Sequence, residues 1–238
     1  MSDKPLSMSS LHDGYTAVVL GASGALGRAC LQHLQADPRC ARAIGLSRST
    51  QPSLVLEDES SLARCAAHLR EHAPLHLLID ATGALTLDGR GPEKRLDELN
   101  IDNLLQAMEV NALGPLLAMK HLLPLLATGE RVIWAKMSAR VGSIEDNHKG
   151  GWYGYRASKA ALNMLLQTAA IETARRRPLA VIAALQPGTV RSRLSQPFVG
   201  DEGLAPEESA RRLLTVINRL QPNGRAHFVD HLGNSIPW

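Results

Sequence analysis

Aromatic side chains are scarce in this chain, 3% of its 238 residues. Single-stranded nucleic acid is gripped by aromatic platforms set among basic residues, and duplexes by a concentrated basic face. The net charge is only +3, and the arginines are scattered apart from Arg175-Arg176-Arg177. A nucleic-acid partner is therefore not expected. Cysteine is also rare. Cys30, Cys40 and Cys65 form no CxxC pair, and an odd number leaves one unpaired, so free thiols in a reducing cytosol are expected. No apolar run is long enough to cross a bilayer. The first ten residues are polar and Ser-rich, without the apolar centre of a signal peptide. Residues 1–12 read as a frayed tail, and a cytoplasmic protein without membrane partner or bound metal is the expectation.

What the chain does have is a regular alternation of short apolar runs and longer helical patterns. Apolar residues make up 45% of it, enough for one good core. Tyr15–Leu20, Ala43–Ser47, Leu75–Asp80, Arg131–Met137, Leu179–Leu185 and His227–Val229 read as strands, with Leu54–Leu56 a further short one. Gly24–Gln35, Ser60–Glu71 (Ser60 as N-cap), Leu96–Asn111, Leu116–Leu126, Tyr153–Arg177 and Glu207–Leu220 carry helical spacing, with a break expected near Gly114-Pro115. Near-continuous apolar strands alternating with helices predict a doubly wound parallel sheet covered on both faces. No linker interrupts it, so residues 13–238 read as a single α/β domain.

Two short patterns carry chemistry. Gly21-Ala22-Ser23-Gly24-Ala25-Leu26-Gly27 follows the first strand and opens the first helix. Glycines there allow a tight turn, and the helix start aims free N–H groups at a pyrophosphate. The second pattern is Tyr155-Arg156-Ala157-Ser158-Lys159, which puts a phenol and an ammonium on one helix face. A free phenol has a pKa of about 10, and an adjacent cation stabilises its anion; lowering it by about three units takes about 4 kcal/mol. After the second strand comes Gly45-Leu46-Ser47-Arg48-Ser49, with no acid to bond a ribose diol. Ser47 and Arg48 suit a 2′-phosphate instead, which favours NADP(H) over NAD(H).

These landmarks stand in a fixed order. The glycine turn is followed by Asp80-Ala81-Thr82-Gly83, then Asn111, Met137-Ser138, Tyr155 with Lys159, and Pro187-Gly188-Thr189. The order resembles the short-chain dehydrogenase/reductase family from about Tyr15 to the C-terminus. The stretch from Gly151 to Asn163 and the closing Gly233-Asn234-Ser235-Ile236-Pro237-Trp238 resemble the branch that contains the C-factor signalling protein and small carbonyl reductases. The resemblance implies a Rossmann-type fold and an oxidoreductase that exchanges a hydride between a nicotinamide cofactor and a small carbonyl or alcohol. It implies that Tyr155 is the general acid or base, that Lys159 lowers its pKa and holds the nicotinamide ribose, and that Asn111 holds a water behind Lys159. Gly21, Ser23, Gly24, Leu26 and Gly27 would line the pyrophosphate. Asp80, Ala81 and Gly83 would pass beside the adenine-side ribose, and Pro187, Gly188, Thr189 and Val190 would flank the nicotinamide. The segment around 191–205 would be a lid over the substrate. The helices around Asn111 and Tyr155 would pair copies of the chain into a homodimer or homotetramer.

The chain departs from the family pattern at several places. Leu20 stands for Thr and Ala25 for the middle glycine of the turn, and Val55 stands where an Asp usually meets adenine. The largest departure is at the catalytic serine, expected three residues before Gly142, where Ala139 stands. Neighbouring side chains on a strand point to opposite faces. Three readings remain: Ser138 serves from an irregular strand end, Ser143 folds back, or no hydroxyl fills the role. The last points to a nucleotide-binding regulatory protein with weak or absent turnover as the alternative to an enzyme.

Overall fold

Apolar side chains on both faces of a strand need cover on both sides, and every central strand of this chain meets that demand. A computed structural model of the chain describes residues 6–192, 196 and 202–238. Six strands, β1 (Tyr15–Leu20), β2 (Cys40–Leu46), β3 (Leu77–Asp80), β4 (Val132–Met137), β5 (Ala180–Gln186) and β6 (Ala226–Asp230), form one sheet in the order β2-β1-β3-β4-β5-β6. All five pairings are parallel. All six residues of β4 are buried. The helices are α1 (Ala25–Gln35), α2 (Glu59–Leu69), α3 (Ile101–Met108), α4 (Gly114–Leu122), α5 (Tyr153–Ala174) and α6 (Pro206–Arg219). One sheet face, with Val18, Leu78, Trp134 and Ile182, packs on Leu62, Met119, Leu162 and Leu166 of α2, α4 and α5. The other, with Val19, Ile79, Ile133 and Val181, packs on Leu34 and Leu213 of α1 and α6. This is the doubly wound, Rossmann-type arrangement. The chain leaves β1 toward β2 and returns to β3 on the other side, so a crevice opens at the carboxyl ends of β1 and β3.

Four local expectations are corrected. Leu54–Leu56 is not a strand; Leu54 and Leu56 are buried as part of a loop, with the Leu54 N–H donating to the Ser47 carbonyl. The N-cap of α2 is Asp58, whose carboxylate accepts from the Ser60 N–H, because a carboxylate two residues earlier reaches the orphan donors first. The long helix does not break at Gly114-Pro115. It widens just before them into a π-turn over Glu109–Leu113, and Pro115 sits in the first turn of α4, where its missing N–H is tolerated. The frayed tail does not extend through residues 6–12. Met8 and Leu11 are buried, and the Met8 N–H donates to Asp37 Oδ2 at 2.8 Å, since two apolar side chains pack beside Tyr15 on the face of the sheet that α1 and α6 cover. Residues 1–5 lie outside the described residues, as do 193–195 and 197–201 of the expected lid. Among the described residues no helix is long and apolar enough to cross a membrane.

Candidate active site

The glycine turn is shaped by close approach. Gly21 has φ +78°, and its N–H donates to the Leu46 carbonyl at 2.8 Å, which ties the turn to the end of β2. A Cβ on Gly27 would lie 2.2 Å from the Gly21 carbonyl oxygen, so only glycine lets α1 start here. Gly24 caps α1 without a side-chain bond, and the first turn holds no acid. Ser23 and Gly24 are exposed, and Leu26 is half-buried against the sheet. The open helix start is therefore a ready anion site, and the residues present fit a pyrophosphate. Beside it, the Ser47 and Ser49 hydroxyls bond each other at 2.9 Å. Arg48 is exposed, and its guanidinium has no partner among the described residues. A free guanidinium next to two hydroxyls fits a phosphate monoester.

At the end of β3 the chain passes under the turn, and the Ala81 backbone packs against Gly21. The Asp80 side chain does not reach the crevice. It is fully buried and paired with Lys136 of β4 at 3.0 Å, so only its backbone remains for a cofactor. Gly83 (φ +140°) comes next, and a Cβ there would lie 3.1 Å from Asn111 Oδ1 and 3.4 Å from Lys159 Nζ. Asn111 projects from the π-turn and is held by Ala84, whose N–H donates to Oδ1 and whose carbonyl accepts from Nδ2, both at 2.9 Å. Lys159 Nζ donates to the Met137 carbonyl at 3.1 Å and lies 5.6 Å from the centre of the Tyr155 ring. The Trp152 ring stands edge-on to Tyr155 at 6.1 Å. At the far side, the Pro187 carbonyl accepts from Ser209 Oγ at 2.7 Å, and Gly188 (φ +78°) passes so near His231 that a Cβ would lie 2.7 Å from its ring. Thr189 and Val190 pair with Leu204.

Electrostatics at the pair differ from the expectation. Burial pushes the Tyr155 hydroxyl up to about 12 instead of the ammonium bringing it down. Burial, and then the Lys136 ammonium, bring Lys159 down to about 7, with Asp80 opposing.

Helix α5 begins at Trp152 in the left-handed region (φ +56°) without a side-chain cap of its own. Glu93, nearly buried, supplies it from outside: Oε2 accepts from the Gly154 N–H at 3.0 Å, and its carbonyl accepts from the Trp152 N–H. Glu93, Asn111 and Tyr155 border a small cavity of about 20 Å3. Sequence reasoning gave no part to Glu93, Lys136 or Asn163. A lysine inside the apolar run of β4 was the available signal for Lys136.

Residues 49–203 match the family model described as short chain dehydrogenase, a stretch that begins after the glycine turn and covers more than half of the chain. The chain belongs to the short-chain dehydrogenase family. As a member it is an NAD(P)-dependent oxidoreductase. The dehydrogenase is 35% identical over 143 residues to C-signal of Myxococcus xanthus, covering 60% of this chain and 83% of that protein. It is 30% identical over 192 residues to 1-hydroxy-2-glutathionyl-2-methyl-3-butene dehydrogenase of Rhodococcus sp. (strain AD45), 80% of each. Among solved structures, a short-chain dehydrogenase/reductase from Burkholderia multivorans with bound NADP superposes with TM-score 0.81 at 24% identity, over 94% of this chain and 99% of that one. Carbonyl reductase Sniffer of D. melanogaster does so with TM-score 0.80 at 21% identity, over 95% and 100%. At these identities the two structures speak for the fold.

The structure of the dehydrogenase also places the serines in question. Ser138 is buried on the α5 side of β4, and its hydroxyl donates to Asn163 Oδ1 at 2.7 Å. The Ser143 hydroxyl accepts from the Asp146 N–H at 3.1 Å and donates to the Trp238 carbonyl at 3.4 Å. Neither bonds Tyr155. Ala139 is half-buried and extended at φ −155°, ψ 146°.

Proposed function

We propose that this dehydrogenase reduces a small carbonyl compound, or oxidises the matching alcohol, with NADP(H), and that Tyr155 carries the proton. The observation that supports this most directly is the meeting of Gly83, Asn111 and Lys159 beside one half-buried phenol. When bound, the nicotinamide supplies or accepts the hydride. At neutral pH a phenol held near 12 keeps its proton and serves as an acid, the state that carbonyl reduction needs. Lys159, near 7, exchanges protons readily at that pH and replaces the one Tyr155 gives up. Ser23, Leu26 and the N–H groups at the start of α1 hold the pyrophosphate, Ser47 and Arg48 the 2′-phosphate, and Pro187 to Val190 flank the ring. NADP bound in a structural neighbour and the carbonyl reductases among them support the cofactor and the substrate class. Exposed Ile101 and Leu105 on α3 and Met164 on α5 are the apolar surface through which two or four copies would associate in the cytoplasm.

The test is NADPH oxidation against a panel of aldehydes, ketones and diketones, with Tyr155→Phe as control. The expected result is turnover with at least one carbonyl, lost in the variant while NADPH still binds. Tight NADPH binding without turnover on any substrate would overturn the reading. It would favour the second one, a regulatory nucleotide-binding protein. Ala139 at the serine position, with both neighbouring serine hydroxyls engaged elsewhere, is what keeps that reading in view.

A further inference from the structure

Strands β3 and β4 lie side by side with Asp80 directly opposite Lys136. Both side chains point to the sheet face that packs on α5, and neither is exposed at all. Two ions inside a sheet are a poor choice for stability alone, because desolvation costs several kcal/mol per ion, roughly what their attraction returns. Their bonds reach toward the site. Lys136 Nζ donates to Asp80 Oδ1 at 3.0 Å, to the Thr82 carbonyl at 2.7 Å and to Thr82 Oγ1 at 2.9 Å. Asp80 Oδ1 in turn accepts from the Thr82 N–H at 2.9 Å and from its hydroxyl at 2.5 Å. Thr82 is thus bolted on three of its polar atoms, and the next residue is Gly83, which packs against Asn111 and Lys159.

We propose that the buried Lys136–Asp80 pair is a positioning element of the Tyr155–Lys159 site, fixing the Thr82–Gly83 turn and setting a second ammonium behind Lys159. The proposal rests on the reading of Tyr155 and Lys159 given above. Lys159 faces Lys136 from β4, Asp80 from β3 and the neutral Tyr155 from its own helix. The neutral Asn111 amide and the Met137 carbonyl also lie beside it. When Lys159 is protonated, two ammoniums therefore act on one carboxylate, whose Oδ2 has no partner among the described residues. The excess cation makes a proton on Lys159 easier to release, and the Thr82 bonds keep Gly83 from drifting into the space where Lys159 and Asn111 meet.

The test uses the full chain labelled with ε-13C lysine, with the Lys159 resonance assigned by its loss in Lys159→Met. Asp80→Asn and Lys136→Met together remove both charges. The Lys159 midpoint is then expected to rise, by up to about one pH unit, because Lys136 opposes its proton more strongly than Asp80 favours it. Thr82→Val removes the hydroxyl's two hydrogen bonds, to Asp80 and from Lys136, and leaves the charges; NADPH affinity is expected to fall at least about fivefold, the low end for two hydrogen bonds, while the Lys159 midpoint stays put. A folded double variant with an unmoved Lys159 midpoint would overturn the electrostatic role. Unchanged NADPH affinity in Thr82→Val would overturn the positioning role, and that arm stands even if the double variant does not fold. The lysine titration needs no turnover, so a wild-type protein inactive on every carbonyl would sink the proposed function and leave this result readable.

Discussion

Removing the Ser138 hydroxyl separates a structural serine from a catalytic one. In Ser138→Ala the lost bond is a buried one to Asn163 Oδ1, at 2.7 Å. Among the described residues the Asn163 side chain keeps only its weak donation to the Gly142 carbonyl at 3.4 Å. A buried acceptor left unpaired costs about 1–3 kcal/mol. For a chain of this size each kcal/mol lowers Tm by about 2–4 °C, so a fall of about 2–12 °C is expected. Removal of a hydroxyl that stabilises a developing oxyanion would instead lower kcat by about a hundredfold or more. The expectation is a lower Tm with kcat/KM within about threefold of wild type, the range left when no transition-state bond is lost. The companion variant Ala139→Ser adds a hydroxyl at an extended, half-buried position that accepts serine without strain. Its kcat/KM for carbonyl reduction is expected to rise. Circular dichroism melts and NADPH oxidation measure both. A hundredfold loss of kcat/KM in Ser138→Ala with an unchanged melt would refute the reasoning and make Ser138 the missing catalytic serine.

Other outcomes follow from the same geometry. Arg48→Glu puts a carboxylate where the free guanidinium stands, so NADPH affinity is expected to fall at least tenfold relative to NADH, about 1.4 kcal/mol in cofactor titrations; an unchanged ratio would remove Arg48 from the 2′-phosphate site. In Gly27→Ala the new methyl meets the Gly21 carbonyl oxygen at 2.2 Å, so α1 must back away. Overpacking of this kind costs about 1–3 kcal/mol, and NADPH binding measured by fluorescence is expected to weaken with it; wild-type affinity and melt together would contradict the close contact. His76 is nearly buried at the opposite end of the sheet, where its Nδ1 accepts from the Thr16 N–H, so its Nε2–H donates to His12 Nε2 at 2.8 Å. Burial first, then His12, lowers its pKa while Glu130 opposes. The folded chain therefore holds His76 neutral, and below about pH 6.5 the unfolded chain binds the extra proton, so stability falls as pH drops through that window. His76→Gln is expected to flatten the dependence of Tm on pH between 7 and 5; an equally steep variant would be the contrary result.

The strands were legible because burial on both faces writes them as apolar runs, and the order of the glycine turn, Asn111, Tyr155 and Lys159 was legible because these landmarks fall between such runs along the chain. What was hidden lies in pairings across the chain. Lys136 breaks the apolar run of β4, yet its partner Asp80 is 56 residues away and becomes visible only once β3 and β4 are neighbours. Glu93 caps α5 across 61 residues of sequence, and nothing near it announces a cap. Leu54 and Leu56 look like a strand because a loop tucked into the core is as apolar as one. The helix around Asn111 carries no local mark of its extra residue per turn, since a widened turn is set by packing and not by composition. Met8 and Leu11 are too few to outweigh the serines around them, although they fill the edge of the core.

The cap that Glu93 provides has a consequence for anyone who would redesign this protein. Residues 84–95 run from the Gly83 turn to Glu93 and Lys94, and the first turn of α5 hangs from them by the Gly154 and Trp152 amides. Tyr155 lies one residue beyond Gly154. A loop graft made there to admit a different substrate would also loosen the mounting of the phenol. Specificity and rate are mechanically joined at that point, and a graft that keeps the glutamate and its spacing to Gly83 is the one that changes the first without spoiling the second.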